Sequence, residues 1–209
     1  MTTAKPDAGI VAVLEHAQAV GLLGRGAVSG HIDHARALIE AIPPTASRFV
    51  DLGSGGGVPG LIVAIDRPTL TGMLLDGSTR RGAFLRAAVE DLALAGRVDV
   101  VVERAETVGR SPQWRAWADV VLARSFGPPA VVAECAAPLL RVGGTLIVSD
   151  PPSDVVRSER WPANALRELG LVPVHHHGGP PAYSVLEQVG ACPARFPRRV
   201  GVPTKRPLF

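Results

Sequence analysis

The fold is decided by residues 48–60, which read RFVDLGSGGGVPG. The apolar run Arg48–Leu52 predicts a short buried strand, and the glycines behind it predict a tight turn. Pro59 suits the first turn of a helix, which we expect to continue to Asp66. A strand, a glycine turn and a helix in direct succession indicate an α/β protein with a ligand near the turn.

The glycine turn favours one class of ligand over another. Gly53, Gly55 and Gly57 supply positions without a Cβ atom, where a backbone can approach a ligand closely. The dinucleotide fingerprint needs a glycine where this chain has Val58, which disfavours a nicotinamide-dependent oxidoreductase. The pattern Asp-x-Gly-x-Gly-x-Gly resembles motif I of class I methyltransferases, in which Asp51 would help to hold the ammonium group of S-adenosylmethionine. A tight turn without a ligand is the alternative, because such a turn alone is weak evidence.

The rest of the chain alternates between short apolar strands and helices. This alternation predicts a doubly wound, parallel sheet, a Rossmann-like α/β fold, behind a short N-terminal helical cap. We expect three parts: the cap (1–45), the ligand-binding domain (46–190) and a basic tail (191–209). The predicted strands after the first are 71–75, 98–102, 118–123, 145–149, 171–175 and 182–189. The predicted helices are 9–23, 29–42, 59–66, 79–95, 129–140 and 161–169.

Parallel sheets bind ligands beyond the carboxyl ends of their strands, so the residues that follow each strand are the candidate site residues. Asp76 ends the second strand, where a carboxylate can accept hydrogen bonds from both ribose hydroxyls of an adenosine. Ala105 and Glu106 follow the third strand and would border the adenine, although Glu106 judged singly reads as a surface carboxylate. Arg124 follows the fourth strand, where it would meet the substrate or form a surface ion pair.

Composition excludes several classes of protein. Apolar residues make up 46% of the 209 residues, which is enough for a sizeable core. Two cysteines, Cys135 and Cys192, do not make a disulfide framework and are expected to be reduced. The polar stretch 1–9 is unlike a signal peptide, and charged residues, prolines and glycines interrupt the apolar runs. We therefore expect a cytoplasmic protein without a membrane span.

The positive charge is concentrated at one end of the chain. Residues 191–209 contain five cations and no acidic residue: Arg195, Arg198, Arg199, Lys205 and Arg206. Such clustering favours a polyanionic partner that contacts the tail, and a merely solvated end is the alternative.

Five segments together resemble one family, the bacterial 16S rRNA guanine-N7 methyltransferases, also called glucose-inhibited division protein B. They are DLGSGGGVPG (51–60), LDGSTRRGAFL (75–85), RAE (104–106), ARSF (123–126) and FPRRVGVPTKRPL (196–208).

The resemblance implies a methyltransferase sheet that binds S-adenosylmethionine and methylates N7 of one guanine in the 530 loop. The partner would be 16S rRNA or the small ribosomal subunit. By the same resemblance Gly53 and Val58 contact the cofactor, Ala105 and Glu106 flank its adenine, and Arg124 closes the site as the candidate catalytic residue. The tail cations Arg198, Arg199, Lys205 and Arg206 are the candidate RNA contacts.

Two departures from the family keep other functions open. Segments that members carry upstream of residue 31 are absent, so the cap is abbreviated, and Asp150 stands where members tend to have a lysine. An acid there is unfavourable beside a polyanion. The alternatives are a methyltransferase acting on a small metabolite and a non-catalytic, ribosome-associated protein that binds the cofactor.

Three other patterns are discounted. Guanine N7 carries a lone pair and no proton, so no general base is needed and the lack of a catalytic pair is consistent with the reaction. His175-His176-His177 alternate between the faces of an extended segment and are not expected to share a metal ion. Asp150-Pro151-Pro152 follows the wrong strand for an amino-methyltransferase motif, and Trp114 and Trp117 have the spacing of a packing pair.

Overall fold

The computed structural model describes residues 8–151 and 157–209 of the chain. The stretch 1–7, on which the argument against a signal peptide depends, and Pro152 of the discounted proline motif lie outside these residues. The strands are β1 (Arg48–Leu52), β2 (Thr71–Asp76), β3 (Val98–Val102), β4 (Ala118–Ala123), β5 (Leu140–Ser149), β6 (Leu171–His177) and β7 (Tyr183–Gln188). The helices are α1 (Ala8–Ala19), α2 (Val28–Glu40), α3 (Gly60–Asp66), α4 (Thr79–Asp91), α5 (Ala105–Val108), α6 (Pro129–Ala136), α7 (Arg157–Arg160), α8 (Ala163–Arg167) and α9 (Val202–Lys205).

The strands form one seven-stranded sheet in the order β3-β2-β1-β4-β5-β7-β6. Strands β1 to β5 pair in parallel, and the order reverses between β1 and β4, which opens a crevice at their carboxyl ends. Strand β7 runs antiparallel between β5 and β6, so the predicted parallel pairing holds for β1 to β5 and the sheet as a whole is mixed. A five-residue loop joins β6 to β7, and such a short loop allows only an antiparallel neighbour.

Two apolar cores cover the two faces of the sheet. Side chains alternate along each strand: Phe49 and Leu122 pack with helices α1 to α4, whereas Val50 and Ala123 pack with α6, α8 and the C-terminal residues. Each central strand is therefore buried on both faces, which explains why the sequence reads as continuous apolar runs.

The N-terminal helices help to position the glycine turn. Helices α1 and α2 correspond to the predicted cap helices and bury Leu14 and Ile32 in the first core. The chain between them passes over the turn, since a Cβ atom on Gly56 would lie 2.9 Å from the carbonyl oxygen of Leu22. Glycine is needed at this position because a neighbouring backbone occupies the space.

Several element boundaries differ from the predictions. Helices α4 and α6 end earlier than expected, and β5 begins at Leu140, before the predicted strand 145–149, and runs through Gly143 and Gly144. The predicted helix 161–169 is present in shortened form as α8, and the one-turn helix α7 precedes it. The one-turn helices α5 and α9 were missed, since four residues carry no readable periodicity.

The three consecutive histidines alternate as expected. The rings of His175 and His177 lie near Tyr183, whereas Nδ1 of His176 lies 3.3 Å from the Ser184 hydroxyl. No group of three His, Cys, Asp or Glu side chains among the described residues is arranged to hold a metal ion. No helix in the same residues is long and apolar enough to span a bilayer.

Candidate active site

The glycine turn is tied to the end of the neighbouring strand. The N–H groups of Gly53 and Ser54 both donate to the carbonyl of Leu75, at 2.8 and 3.0 Å. Gly53 has a φ of +77°, and a Cβ atom on it would lie 2.5 Å from the ring of Phe126. Backbone conformation and crowding therefore both require glycine here, and the turn brings β1, β2 and Phe126 together.

Asp51, in β1, stabilises the glycine turn through hydrogen bonds of its side chain. Its side chain is buried, and Oδ2 accepts hydrogen bonds from the Ser54 hydroxyl at 2.8 Å and from the N–H of Gly60 at 2.9 Å. Burial raises the pKa of Asp51 to about 6, although these hydrogen bonds and the charge of Arg124 favour the ionised form. The carboxylate organises both ends of the turn, and its predicted role toward an ammonium group stays a prediction.

Asp76 is oriented by the backbone at the end of β2. Oδ2 accepts from the N–H of Gly55 at 3.0 Å, and Oδ1 accepts from the N–H of Ser78 at 2.9 Å and lies 3.1 Å from Nε of Arg81. Each carboxylate oxygen has two lone pairs, so one acceptor site, on Oδ2, remains for a hydroxyl of a ligand. The glycine turn thus positions the acid that was predicted to bind a ribose.

A first cavity of about 450 Å³ opens at the carboxyl ends of β1 to β4. It brings together four of the predicted site residues with several that were not predicted. Its lining includes Gly53, Asp76, Ala105, Glu106, Ser78, Arg81, Ser125, Phe126 and Thr204. Asp51, Gly55, Gly57, Val58 and Arg124 are not among its lining residues. Gly57 serves packing, since a Cβ atom there would meet Leu61 at 2.3 Å, and Val58 lies in the first apolar core.

Glu106 is a buried residue of this cavity, so judging it singly as a surface carboxylate is wrong. It is only 3% exposed, and Oε1 accepts from the N–H of Gly201 at 2.9 Å and from Arg104 at 3.3 Å. Burial alone would raise the pKa of Glu106, but the hydrogen bonds, above all that from Gly201, bring it below its ordinary value. The carboxylate joins the end of β3 to the C-terminal residues, a contact across 95 positions that no local pattern indicates.

A second cavity of about 460 Å³ adjoins the first at the carboxyl ends of β4 and β5. Ser125 and Phe126 line both cavities. Arg124 lies in the second one, with Nη2 2.8 Å from Nδ1 of His31. Its Nη1 is buried and has no hydrogen-bond partner among the described residues. Burial lowers the pKa of Arg124, and the nearby charge of Asp51 only partly compensates. A cation with a free donor lies next to the first cavity.

His34 is a member of the second cavity that the sequence did not single out. Its Nε2 lies 2.8 Å from the hydroxyl of Ser149. Burial, with the charge of Arg124 and the neighbouring His31, lowers the pKa of His34 to about 4, so the ring is neutral at physiological pH. A neutral imidazole adds hydrogen-bonding capacity to the cavity without adding charge.

Asp150 does not present a free negative charge to this cavity. It is buried; Oδ1 lies 2.6 Å from Nε of Arg160, and Oδ2 accepts from the Ser184 hydroxyl at 2.5 Å. His176 lies 3.4 Å from the same carboxylate. The expectation that Asp150 repels a polyanion is wrong, because residues distant in sequence compensate its charge.

The basic tail is docked on the body, and its four candidate RNA contacts differ from one another. Arg198 forms a two-point ion pair with the buried Glu134, with Nε and Nη2 2.8 and 2.6 Å from its oxygens. Arg199, Lys205 and Arg206 are exposed to solvent. Three of the four cations are thus available to a partner, and the fourth has a structural partner.

The chain is similar to known methyltransferases. A family model described as rRNA small subunit methyltransferase G matches residues 25–150. A ribosomal RNA small subunit methyltransferase G from Chloroflexus aggregans is 37% identical over 171 residues, covering 78% of this chain and 70% of that protein. The namesake from Roseiflexus castenholzii is 39% identical over 170 residues, covering 79% and 72%. The chain belongs to this family. The family resemblance of the sequence is thereby confirmed.

Solved structures show the same fold at low sequence identity. An O-methyltransferase from Bacillus cereus in complex with S-adenosylhomocysteine has a TM-score of 0.63 at 15% identity, covering 89% of this chain and 93% of that one. The O-methyltransferase TomG from Streptomyces achromogenes, in complex with S-adenosylmethionine, has a TM-score of 0.61 at 16% identity, covering 89% and 92%. The Rossmann-like methyltransferase fold is confirmed for this member of the family.

Proposed function

We propose that this protein transfers a methyl group from S-adenosylmethionine to N7 of a guanine in the 530 loop of 16S rRNA. The observation that carries the proposal is the pair of adjoining cavities at the sheet's carboxyl edge in a member of the small-subunit rRNA methyltransferase G family. A two-cavity site suits a transfer reaction, because cofactor and acceptor must meet at one boundary.

The first cavity fits the adenosyl cofactor. Its volume lies in the range of small-molecule sites, and its oriented carboxylate, Asp76, has a free acceptor site on Oδ2 for a ribose hydroxyl. Ala105 and Glu106 lie where the adenine would be held, and Phe126 stands at the boundary with the second cavity. When bound, S-adenosylmethionine supplies an electrophilic methyl group.

The second cavity would receive the guanine. N7 attacks through a lone pair that carries no proton, so the residues need only orient the base and exclude water. Arg124 lines this cavity, where its guanidinium would donate to an acceptor such as guanine O6, and Phe126 offers a ring against which a base can stack. The neutral His34 holds Ser149 and keeps a second positive charge away from Arg124.

The exposed cations Arg199, Lys205 and Arg206 would contact the phosphate backbone. Each cation that neutralises a phosphate releases counterions, so RNA affinity should fall steeply with salt. A ribosomal substrate sets the place of action in the cytoplasm.

Methyl transfer from labelled S-adenosylmethionine to small ribosomal subunits that lack the modification tests the proposal. We expect label in 16S rRNA, at one guanine of the 530 loop. The variant Arg199→Ala/Arg206→Ala should raise the KM for RNA and reduce its salt dependence. The matched control Arg86→Ala/Arg167→Ala, which removes two other exposed cations, should leave both unchanged. Absence of label from RNA, with S-adenosylmethionine bound, would contradict the proposed substrate.

A further inference from the structure

The C-terminal segment, residues 191–209, is held on the body by buried contacts. Phe196 is 3% exposed and belongs to the second apolar core. The guanidinium of Arg115 donates to the carbonyls of Phe196 at 2.8 Å and Pro193 at 3.0 Å. The ion pair between Arg198 and Glu134, which is 0% exposed, fixes the next residues. A segment attached in this way has a defined position relative to the sheet.

This docking brings the end of the chain to the first cavity. Gly201, with a φ of +78°, turns the chain so that its N–H donates to Oε1 of Glu106. Helix α9 starts at the next residue, and Thr204, less than one helical turn further, lines the first cavity, which Asp76 and Glu106 also line. The wall of the cavity is therefore made partly by residues more than 95 positions away from β3.

We propose that the C-terminal segment is a working part of the cofactor site, in which Thr204 contacts the adenine end of bound S-adenosylmethionine. The inference rests on the proposed function for the identity of the ligand. Thr204 lines the cavity together with Glu106, whose carboxylate binds the backbone three residues before it, and its hydroxyl can donate to or accept from a purine edge. Glu106 holds the backbone that carries Thr204 and is a positioning residue for it.

Coupling between cofactor and RNA follows from this geometry. The segment that supplies Thr204 also carries the exposed cations Arg199, Lys205 and Arg206. A ligand that contacts the docked segment stabilises docking, and docking raises the affinity for that ligand by the same factor. Cofactor binding would thus fix the cations that face the RNA.

Calorimetry with S-adenosylhomocysteine tests the contact. Thr204 is exposed, so Thr204→Trp should fold normally while its side chain intrudes on the cavity. We expect its Kd to rise about tenfold or more. The control Val200→Trp adds the same ring at a position of the segment that is 53% exposed and does not line the cavity, and its Kd should equal that of the parent. Thr204→Ser, which keeps the hydroxyl, should bind like the parent.

Hydrogen exchange provides a readout that is independent of these substitutions. Saturating S-adenosylhomocysteine should slow exchange in peptides covering 197–207, including the N–H of Gly201. A Kd within twofold of the parent for Thr204→Trp, or unchanged exchange in that peptide although ligand binds, overturns the inference and leaves the proposed function standing. A parent protein that binds no S-adenosylhomocysteine overturns both.

Discussion

The two edges of the central sheet treat their charged residues in opposite ways. At the amino edge, Oδ2 of Asp119 accepts three hydrogen bonds of 2.8 Å, from the N–H and hydroxyl of Ser47 and the N–H of Arg48, and Oδ1 pairs with Arg141. Burial alone would raise the pKa of Asp119, but the hydrogen bonds from Arg141, Ser47 and Arg48 hold it well below its usual range. This edge satisfies its charge completely.

At the carboxyl edge Asp76, Glu106 and Asp150 also have partners, but three other ionisable groups are held in their charged form poorly. Burial raises the pKa of Asp51 to about 6, lowers that of Arg124 and lowers that of His34 to about 4. Nη1 of Arg124 has no partner among the described residues. Perturbed groups that gather beside cavities are typical of sites that complete their contacts with a ligand. The difference teaches that the amino edge is built for stability and the carboxyl edge for binding.

Replacing Arg124 at the carboxyl edge and Arg141 at the amino edge by methionine, one at a time, should give the largest difference between binding and stability. Arg124→Met should lower the rate of methyl transfer about a hundredfold, the loss expected for one preorganised donor in a catalytic site. Its free energy of unfolding should not fall, because a buried guanidinium without a full set of partners is removed. Methyl transfer assays and urea denaturation measure the two quantities.

Arg141→Met is the matched control at the amino edge. It should lower the free energy of unfolding and leave the rate of the folded enzyme unchanged. If Arg124→Met unfolds the protein while its rate per folded molecule persists, the comparison fails.

Removing the fully hydrogen-bonded carboxylate of Asp119 should give the next largest effect, a loss of stability. Asp119→Ala should lower the free energy of unfolding by about 2 kcal/mol, because the Ser47 and Arg48 donors lose their acceptor. Asp99→Ala, which removes an exposed carboxylate from β3, should cost far less. Since the pKa of Asp119 is lowered by folding, its contribution is full above its unfolded pKa of about 4 and is lost as the pH falls further. Cofactor affinity that drops with Asp119→Ala at full folding would contradict this assignment.

Asp51→Asn should change the free energy of unfolding by a smaller amount and in the opposite direction, toward higher stability. With a folded pKa of about 6, the native state binds the proton more tightly than the unfolded state, so stability falls as the pH rises from about 4 to 6. Above pH 6 the asparagine should be more stable than the parent by about 1 kcal/mol, while it binds S-adenosylhomocysteine more weakly. Urea denaturation at pH 5 and pH 7.5 tests this, and an asparagine variant that is less stable than the parent at pH 7.5 would show that the turn needs the ionised carboxylate.

His34→Gln should give the smallest effect. Because the pKa of His34 is lowered, the unfolded state takes up a proton between about pH 6.5 and 4 that the native state does not, so the parent loses stability as the pH falls. Glutamine should remove this loss, by about 0.5 kcal/mol at pH 5 given the partial exposure of the ring. If the free energy of unfolding of parent and variant changes equally with pH between 5 and 7, His34 is not held neutral.

Much of the fold and half of the site could be predicted because both depend on local patterns. Gly53, Asp76 and Ala105 follow directly from where parallel strands end, and the structure brings them to the first cavity. Contacts between distant residues could not be predicted. The pairs Asp150–Ser184, Glu134–Arg198 and Glu106–Gly201 join positions 34 to 95 residues apart, and they decide which charges face solvent.

The antiparallel position of β7 and the packing of Gly57 against Leu61 could not be predicted for a related reason. The sequence predicted strands at 171–175 and 182–189 but not where they would join the sheet, and a glycine required by packing against Leu61 has the same sequence signature as one required by a ligand. The docking of the C-terminal segment is the largest feature that the sequence did not predict. Five cations without an acidic residue in the same segment indicated an external partner, whereas Arg198 pairs with Glu134 of the body.

The most direct test is the modification state of 16S rRNA in cells that lack this protein. The account predicts that mass spectrometry finds one guanine of the 530 loop without its N7 methyl group, and that the parent gene restores the methyl group while the Arg124→Met gene does not. A 530 loop that is fully methylated in the deletion strain would contradict the account.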